Sequence, residues 1–123
     1  MSNTRAIKDI RADTIESGII KQKSETIAAA ATGVNALSLD YAISFIDTTA
    51  GAAQLGLGIG PAGQTKVISL SVDGGDATLT KANGNLGASV ATSIVFADAG
   101  DSVQLFSTGS AWELLSNVGA TVS

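Results

Sequence analysis

The chain has 123 residues, which fits one domain, and at that size about two-thirds of the unfolded surface can be buried. Cysteine and histidine are both absent, so disulfides, thiolate metal sites, cysteine nucleophiles and the usual near-neutral acid/base drop out, and with them an essential part of most hydrolase, transferase and zinc chemistries. Charged residues make up only 15% and the net charge is −4, so the chain offers no basic stripe for nucleic acid, whose phosphates an acidic body repels.

Residues 1–25 read as an N-terminal arm. They carry Arg5, Lys8, Arg11, Lys21 and Lys23 against Asp9, Asp13, Glu16 and Glu25, a net +1. Their apolar residues, Ile7, Ile10, Ile15, Ile19 and Ile20, are spaced for one side of a short helix or for an extended arm. Neither form buries enough to be stable alone, so the arm is expected to be mobile or docked on a partner. The opening Met1-Ser2-Asn3-Thr4-Arg5 has no apolar stretch of the signal-peptide kind, and no apolar run approaches the roughly 18 residues of a membrane span. The protein is expected to be made and used without crossing a membrane.

Residues 26–123 read as the body, with Lys66 and Lys81 against seven acids, a net −5. Residues 27–31 are ambiguous, since their alanines favour helix but Thr32-Gly33 breaks it early. Residues 37–46 alternate, so Leu37, Leu39, Tyr41, Ile43 and Phe45 are expected on one face of a strand. Leu55, Leu57 and Ile59 alternate likewise, ahead of a loop at Pro61 and Gly63. Residues 65–72 turn Ile68, Leu70 and Val72 inward. Asp73-Gly74-Gly75-Asp76 between two β runs predicts a hairpin. Asn83-Gly84-Asn85 makes a loop, Ile94 and Phe96 a further strand, and residues 101–107 and 111–115 a second hairpin around Thr108-Gly109-Ser110. Short strands at turn-to-turn intervals of roughly 8–12 residues, with no helix long enough for a βαβ unit, predict an all-β, antiparallel sandwich or jelly-roll-like body. Its candidate core is Tyr41, Phe45, Ile68, Leu70, Phe96, Leu105 and Trp112.

The motifs with chemical potential each have a plainer reading. Gly58-Ile59-Gly60-Pro61-Ala62-Gly63 matches the dinucleotide glycine pattern, but that motif needs a helix opening after it, and here a β run follows. Asp73–Asp76 and Asp98–Asp101 repeat Asp-x-Gly-Asp. Their four carboxylates suit calcium in type, yet Asp and Gly at those places are also what turns require. Glu113 stands beside an aromatic, Trp112, and alternation sends the two to opposite faces, Trp112 to the core and Glu113 to water. A serine nucleophile would need lysine as its base, and Lys66 and Lys81 read as lying on exposed strand faces. The residues therefore point to a non-enzymatic structural or binding domain without metal or cofactor.

Four runs carry a family likeness: Gln64-Thr65-Lys66-Val67-Ile68, Asp73-Gly74-Gly75-Asp76-Ala77-Thr78-Leu79-Thr80, Ala99-Gly100-Asp101-Ser102-Val103-Gln104-Leu105, and Ser110-Ala111-Trp112-Glu113-Leu114. Over roughly residues 37–120 the chain resembles a module of tailed-phage virion proteins, above all the capsid decoration (cement) and head-fibre proteins of bacteriophages, including cyanophages. The resemblance implies a β-sandwich or jelly-roll subunit, commonly a homotrimer, on the outer capsid surface near threefold positions. There it would clamp neighbouring major capsid proteins and stabilise the shell of the virion, after synthesis in the host cytoplasm. The arm would be the anchor, with Ile7, Ile10, Ile15 and Ile19 buried on the shell and Arg5, Lys8 and Arg11 meeting acidic or carbonyl groups. The alternative within the same resemblance is a head-fibre or tail-associated module that contacts the host surface.

Overall fold

The computed structural model describes residues 14–16 and 19–123, with side chains from Lys21 onward. The anchor candidates Arg5, Ile7, Lys8, Ile10 and Arg11 lie outside the described residues. Ile15 and Ile19 fall in a small antiparallel pair, β1 (Thr14–Glu16) and β2 (Ile19–Lys21), in which Ile15 is opposite Ile20 and Glu16 opposite Ile19.

The remaining strands are β3 (Ser24–Ala28), β4 (Val34–Leu37), β5 (Ile43–Asp47), β6 (Ala53–Leu57), β7 (Thr65–Val72), β8 (Ala77–Thr80), β9 (Ser93–Phe96), β10 (Ser102–Ser107), β11 (Trp112–Val118) and β12 (Thr121–Val122), with one short helix, α1 (Lys81–Gly84). They form two five-stranded sheets, sheet I in the order β11-β10-β7-β5-β3 and sheet II in the order β12-β9-β8-β6-β4. Buried side chains from both sheets make one core cluster between them. Ser24 and Glu25 belong to this body, because β3 pairs with β5 from Ser24 onward.

The all-β sandwich is as the sequence predicts, but its strand directions are not. Up to β8 the chain visits the sheets alternately: β3, β5 and β7 run parallel in sheet I, while β4, β6 and β8 run parallel in sheet II. Each pair is one rung of a flattened coil, three rungs high. The chain then changes habit. β9 lies antiparallel beside β8, β10 crosses to pair antiparallel with β7, β11 forms a hairpin with β10, and β12 returns to β9. The sheets are therefore mixed, and the expected antiparallel, jelly-roll-like arrangement is corrected to a coil closed by an antiparallel cap.

The correction has a local cause. Asp73-Gly74-Gly75-Asp76 is not a hairpin turn, since β7 and β8 lie in different sheets. The turn instead carries the chain across the sandwich and lies on the equivalent turn of the rung before it. A Cβ on Gly74 would stand 2.3 Å from Thr48 O, and one on Gly75 would stand 2.3 Å from Ala52 N. Backbone can approach backbone this closely only without a side chain between. Thr48, fully buried, fastens the stack: its Oγ1 shares a proton between Gly75 O at 2.7 Å and Val72 O at 3.1 Å, and accepts from Gly74 N at 3.0 Å.

Of the candidate core, Ile68, Leu70, Phe96, Leu105 and Trp112 lie between the sheets with no exposed surface. Each such burial stabilises by about 1.5–3 kcal/mol relative to exposure. Tyr41 and Phe45 do not belong to the core. Tyr41 is 36% exposed in the connection before β5, and Phe45 is half-buried on the outside of sheet I. The expected single strand over 37–46 is broken at Ser38–Ala42, and β5 turns Ser44 and Ile46 inward instead of Ile43 and Phe45. Periodicity alone favours the two larger apolar residues. A buried polar group that needs Ser44 decides the register.

Candidate functional site

That group is Lys66. Its ammonium is fully buried at the start of β7, where it donates to Ser38 O at 2.6 Å and Tyr41 O at 2.7 Å and stands 3.6 Å from Glu25 Oε2. The same carboxylate oxygen accepts from Ser44 Oγ at 2.5 Å and from Ser38 N at 3.0 Å. The reading of Lys66 as an exposed strand lysine is thus corrected. Lys81 is exposed, at the start of α1. Burial lowers the Lys66 pKa from its ordinary value, and the Glu25 carboxylate works in the opposite direction. Serine, carboxylate and lysine do converge here, but Ser44 has no exposed surface and the ammonium's donors are directed at two carbonyls and Glu25. The cluster joins all three rungs, β3 through Glu25, β5 through Ser44 and β7 through Lys66. Its chemistry is that of a clamp.

Beside the clamp lies an open depression of about 300 Å³, lined by Gln22, Lys23, Leu39, Asp40, Ala42, Gln64 and Thr65. Gln64 Nε2 donates to Leu39 O at 2.8 Å across its wall. Every buried side-chain polar atom among the described residues has a hydrogen-bond partner, so none is left aimed into this space.

The glycine motif has a packing role. Residues 58–63 bridge β6 to β7 over the ring of Trp112, whose Nε1 donates to Gly58 O at 2.7 Å. A Cβ on Gly60 would meet Trp112 Cζ2 at 2.8 Å, and Gly60 O accepts from Ser107 Oγ at 2.7 Å. No helix follows; β7 begins at Thr65. The Asp-x-Gly-Asp turns also have local work. Asp101 Oδ2 accepts from the backbone N of Ala97 and of Asp98, each at 3.0 Å, and Gly100 takes φ +97° in that turn. Asp73 and Asp76 flank the stacked glycines. Among the described residues no three acidic side chains come together at metal-binding distance. Glu113 Oε1 accepts from Ser89 N at 3.0 Å and Ser89 Oγ at 2.6 Å, contacts that hold its pKa below the ordinary value and tie the segment after α1 to β11.

The surface that remains is the outside of the two sheets. The register places Val34, Gln54, Thr78, Val95 and Thr121 in one row across sheet II. In sheet I one row is Thr26, Phe45, Ser69, Ser102 and Val118, and the next is Ser24, Ile43, Val67, Gln104 and Ser116. None of these fifteen positions carries a charge. The charged side chains of the body lie elsewhere, on strand ends, on turns and in the clamp. Strand periodicity implies such faces, but their neutrality appears only once the register aligns the rows. No protein-family model and no curated protein matches the chain.

Proposed function

We propose that this protein is a non-enzymatic virion component, a decoration (cement) protein that binds the outside of a bacteriophage capsid and braces the major capsid protein lattice. The observation that carries this reading is the pair of charge-poor sheet faces, on which Asp47 and Glu113 are the only outward charged strand residues among the described residues, on an acidic domain whose described buried side-chain polar atoms all have hydrogen-bond partners. A domain of this kind offers flat, charge-poor surface for contact. At the Lys66 clamp, where serine, carboxylate and lysine converge, the serine has no exposed surface. The likeness of residues 64–68, 73–80, 99–105 and 110–114 to phage decoration and head-fibre modules supplies the partner.

The mechanism is mechanical. A shell under pressure from its packed genome fails at the joints between capsomers. A subunit that adds buried area across each joint raises the cost of separation, and lattice symmetry repeats that gain at every joint. The arm is the proposed anchor, through Arg5, Ile7, Lys8, Ile10, Arg11, Ile15 and Ile19, and the body, expected to assemble as a homotrimer, is the brace.

Deleting residues 1–20 tests the reading. The truncated chain is expected to fold as the full chain does and to lose binding to expanded capsids. Capsid binding at full-length strength by the truncated chain would discard the anchor. A second reading, a head-fibre or tail module that contacts the host, is favoured by the same likeness. Binding of the isolated domain to host-surface glycans would support it over the first.

A further inference from the structure

The three rungs of the coil are not held alike. The second buries Ile46, Ala53, Leu55 and Leu57, and the third buries Ile68, Leu70, Ala77 and Leu79. The first, β3 and β4, buries only Leu37 from its strands and Ala29 from the turn between them. It is also the edge of both sheets at once, since β3 pairs only with β5 and β4 only with β6. What fastens it beyond those two ladders is polar. At one end Glu25 accepts from Ser44 and faces Lys66, which donates to Ser38 O. At the other, Asn35 Nδ2 donates to Gln54 O on β6 and to Ala30 O, each at 3.0 Å, while Asn35 Oδ1 accepts from Ala30 N at 2.9 Å.

We propose that the first rung is a latched strap, which swings off the body as one unit while β5 to β12 stay folded. Few buried apolar contacts and solvent-facing edges are what a locally opening segment requires. Water can replace both latches. Glu25 leaves with the rung and Lys66 comes to the new surface, so neither charge is stranded in a dry place. Opening one rung further in would instead expose Ile46, Leu55 and Leu57. The connection over residues 38–42, where strand structure is already broken, is the hinge. The arm is continuous with β3, so opening turns residues 24–42 into a tether of up to about 60 Å. That consequence rests on the arm as anchor; the opening itself does not.

The experiment is native-state hydrogen exchange on the full chain. The protected amides of β3 and β4 are expected to exchange together, at least tenfold faster than the slowest amides of β7 and β10. They are also expected to respond less steeply to low urea, because opening one rung exposes less surface than unfolding the whole. Glu25→Gln and Asn35→Ala are each expected to speed the rung amides at least fivefold. Val103→Ala, buried on β10 and outside the rung, is expected to speed the slowest body amides by a similar factor and to leave the rung amides unchanged. One common rate and urea slope for rung and body overturns the inference, and that comparison needs no variant to fold. So does a rung with no protected amides, a rung that ignores both latch variants, or one that speeds with Val103→Ala. A rung that opens in a chain that binds no capsid leaves this inference standing and fells the anchor reading.

Discussion

Lys66 Nζ lies 3.6 Å from Glu25 Oε2 inside the sandwich, and this pair links the third rung of the coil to its first. Between them stands Ser44 of the second rung, bonded to the same carboxylate oxygen. The contact closes the end of the sandwich at which β3, β5 and β7 begin.

Breaking the pair from one side is costly, because it strands a partner in a poorly hydrated place. Lys66→Met is expected to lower stability by about 2–4 kcal/mol, less than a fully buried pair would give, since Glu25 keeps some solvent contact. The double variant Glu25→Leu with Lys66→Met is expected to recover part of that loss. Urea unfolding of the three chains measures both effects. A Lys66→Met loss under about 0.5 kcal/mol would contradict the clamp.

The clamp also sets a pH dependence. The Lys66 pKa is lowered in the folded state, chiefly by burial. Between that lowered value and the ordinary value near 10.4, the unfolded chain binds the extra proton. The Lys66 contribution to stability therefore rises with pH through that window and levels off above it. The stability of wild type relative to Lys66→Met is expected to increase from pH 8 to about pH 10.5. Equal urea midpoint differences at both pH values would count against it.

The stacked turns predict a sharp contrast between glycines. Gly75→Ala puts a methyl 2.3 Å from Ala52 N and is expected to cost more than about 2 kcal/mol, because backbone rather than a side chain must move. Gly33→Ala meets nothing within 4 Å and suffers only from its φ of +75°, a cost of about 1–2 kcal/mol. Thermal unfolding of the two variants checks the order. Gly33→Ala as damaging as Gly75→Ala would mean that the turns do not stack.

Trp112 reports on the glycine loop. As the only tryptophan, buried and bonded to Gly58 O, it is expected to emit well to the blue of free indole. Gly60→Ala is expected to shift that emission to the red and to destabilise the fold, since the new methyl would overlap the ring. An unchanged spectrum and midpoint would show that the loop does not cover the ring.

Much of the fold was legible because period-two alternation is strict in the later strands. Residues 65–72, 101–107 and 111–115 read as strands, and Ile68, Leu70, Leu105 and Trp112 follow from them, but Val72, expected inward, is 45% exposed where the register against β5 shifts. The coil was not legible. Gly-Gly between two β runs looks the same whether it closes a hairpin or lets one crossing turn lie on another. The signal for a coil was a spacing, a glycine in each crossing turn at Gly33, Gly51 and Gly75. Lys66 was legible and missed: the alternation that turns Ile68 and Leu70 inward turns Lys66 inward too, and only the habit of placing lysine in water argued otherwise. Phe45 was misplaced because hydrophobicity cannot reveal that the interior needs Ser44. The neutral faces were half legible, as composition shows the scarcity of charge but not where the few charges gather.

The measurement that bears most directly on the proposed role is cryo-electron microscopy of the phage particle that carries this chain. Ordered density for the two-sheet domain on the outer shell, bridging neighbouring capsomers at or near threefold positions, is the predicted result. Density on the tail alone, or no ordered density on the particle, would contradict it.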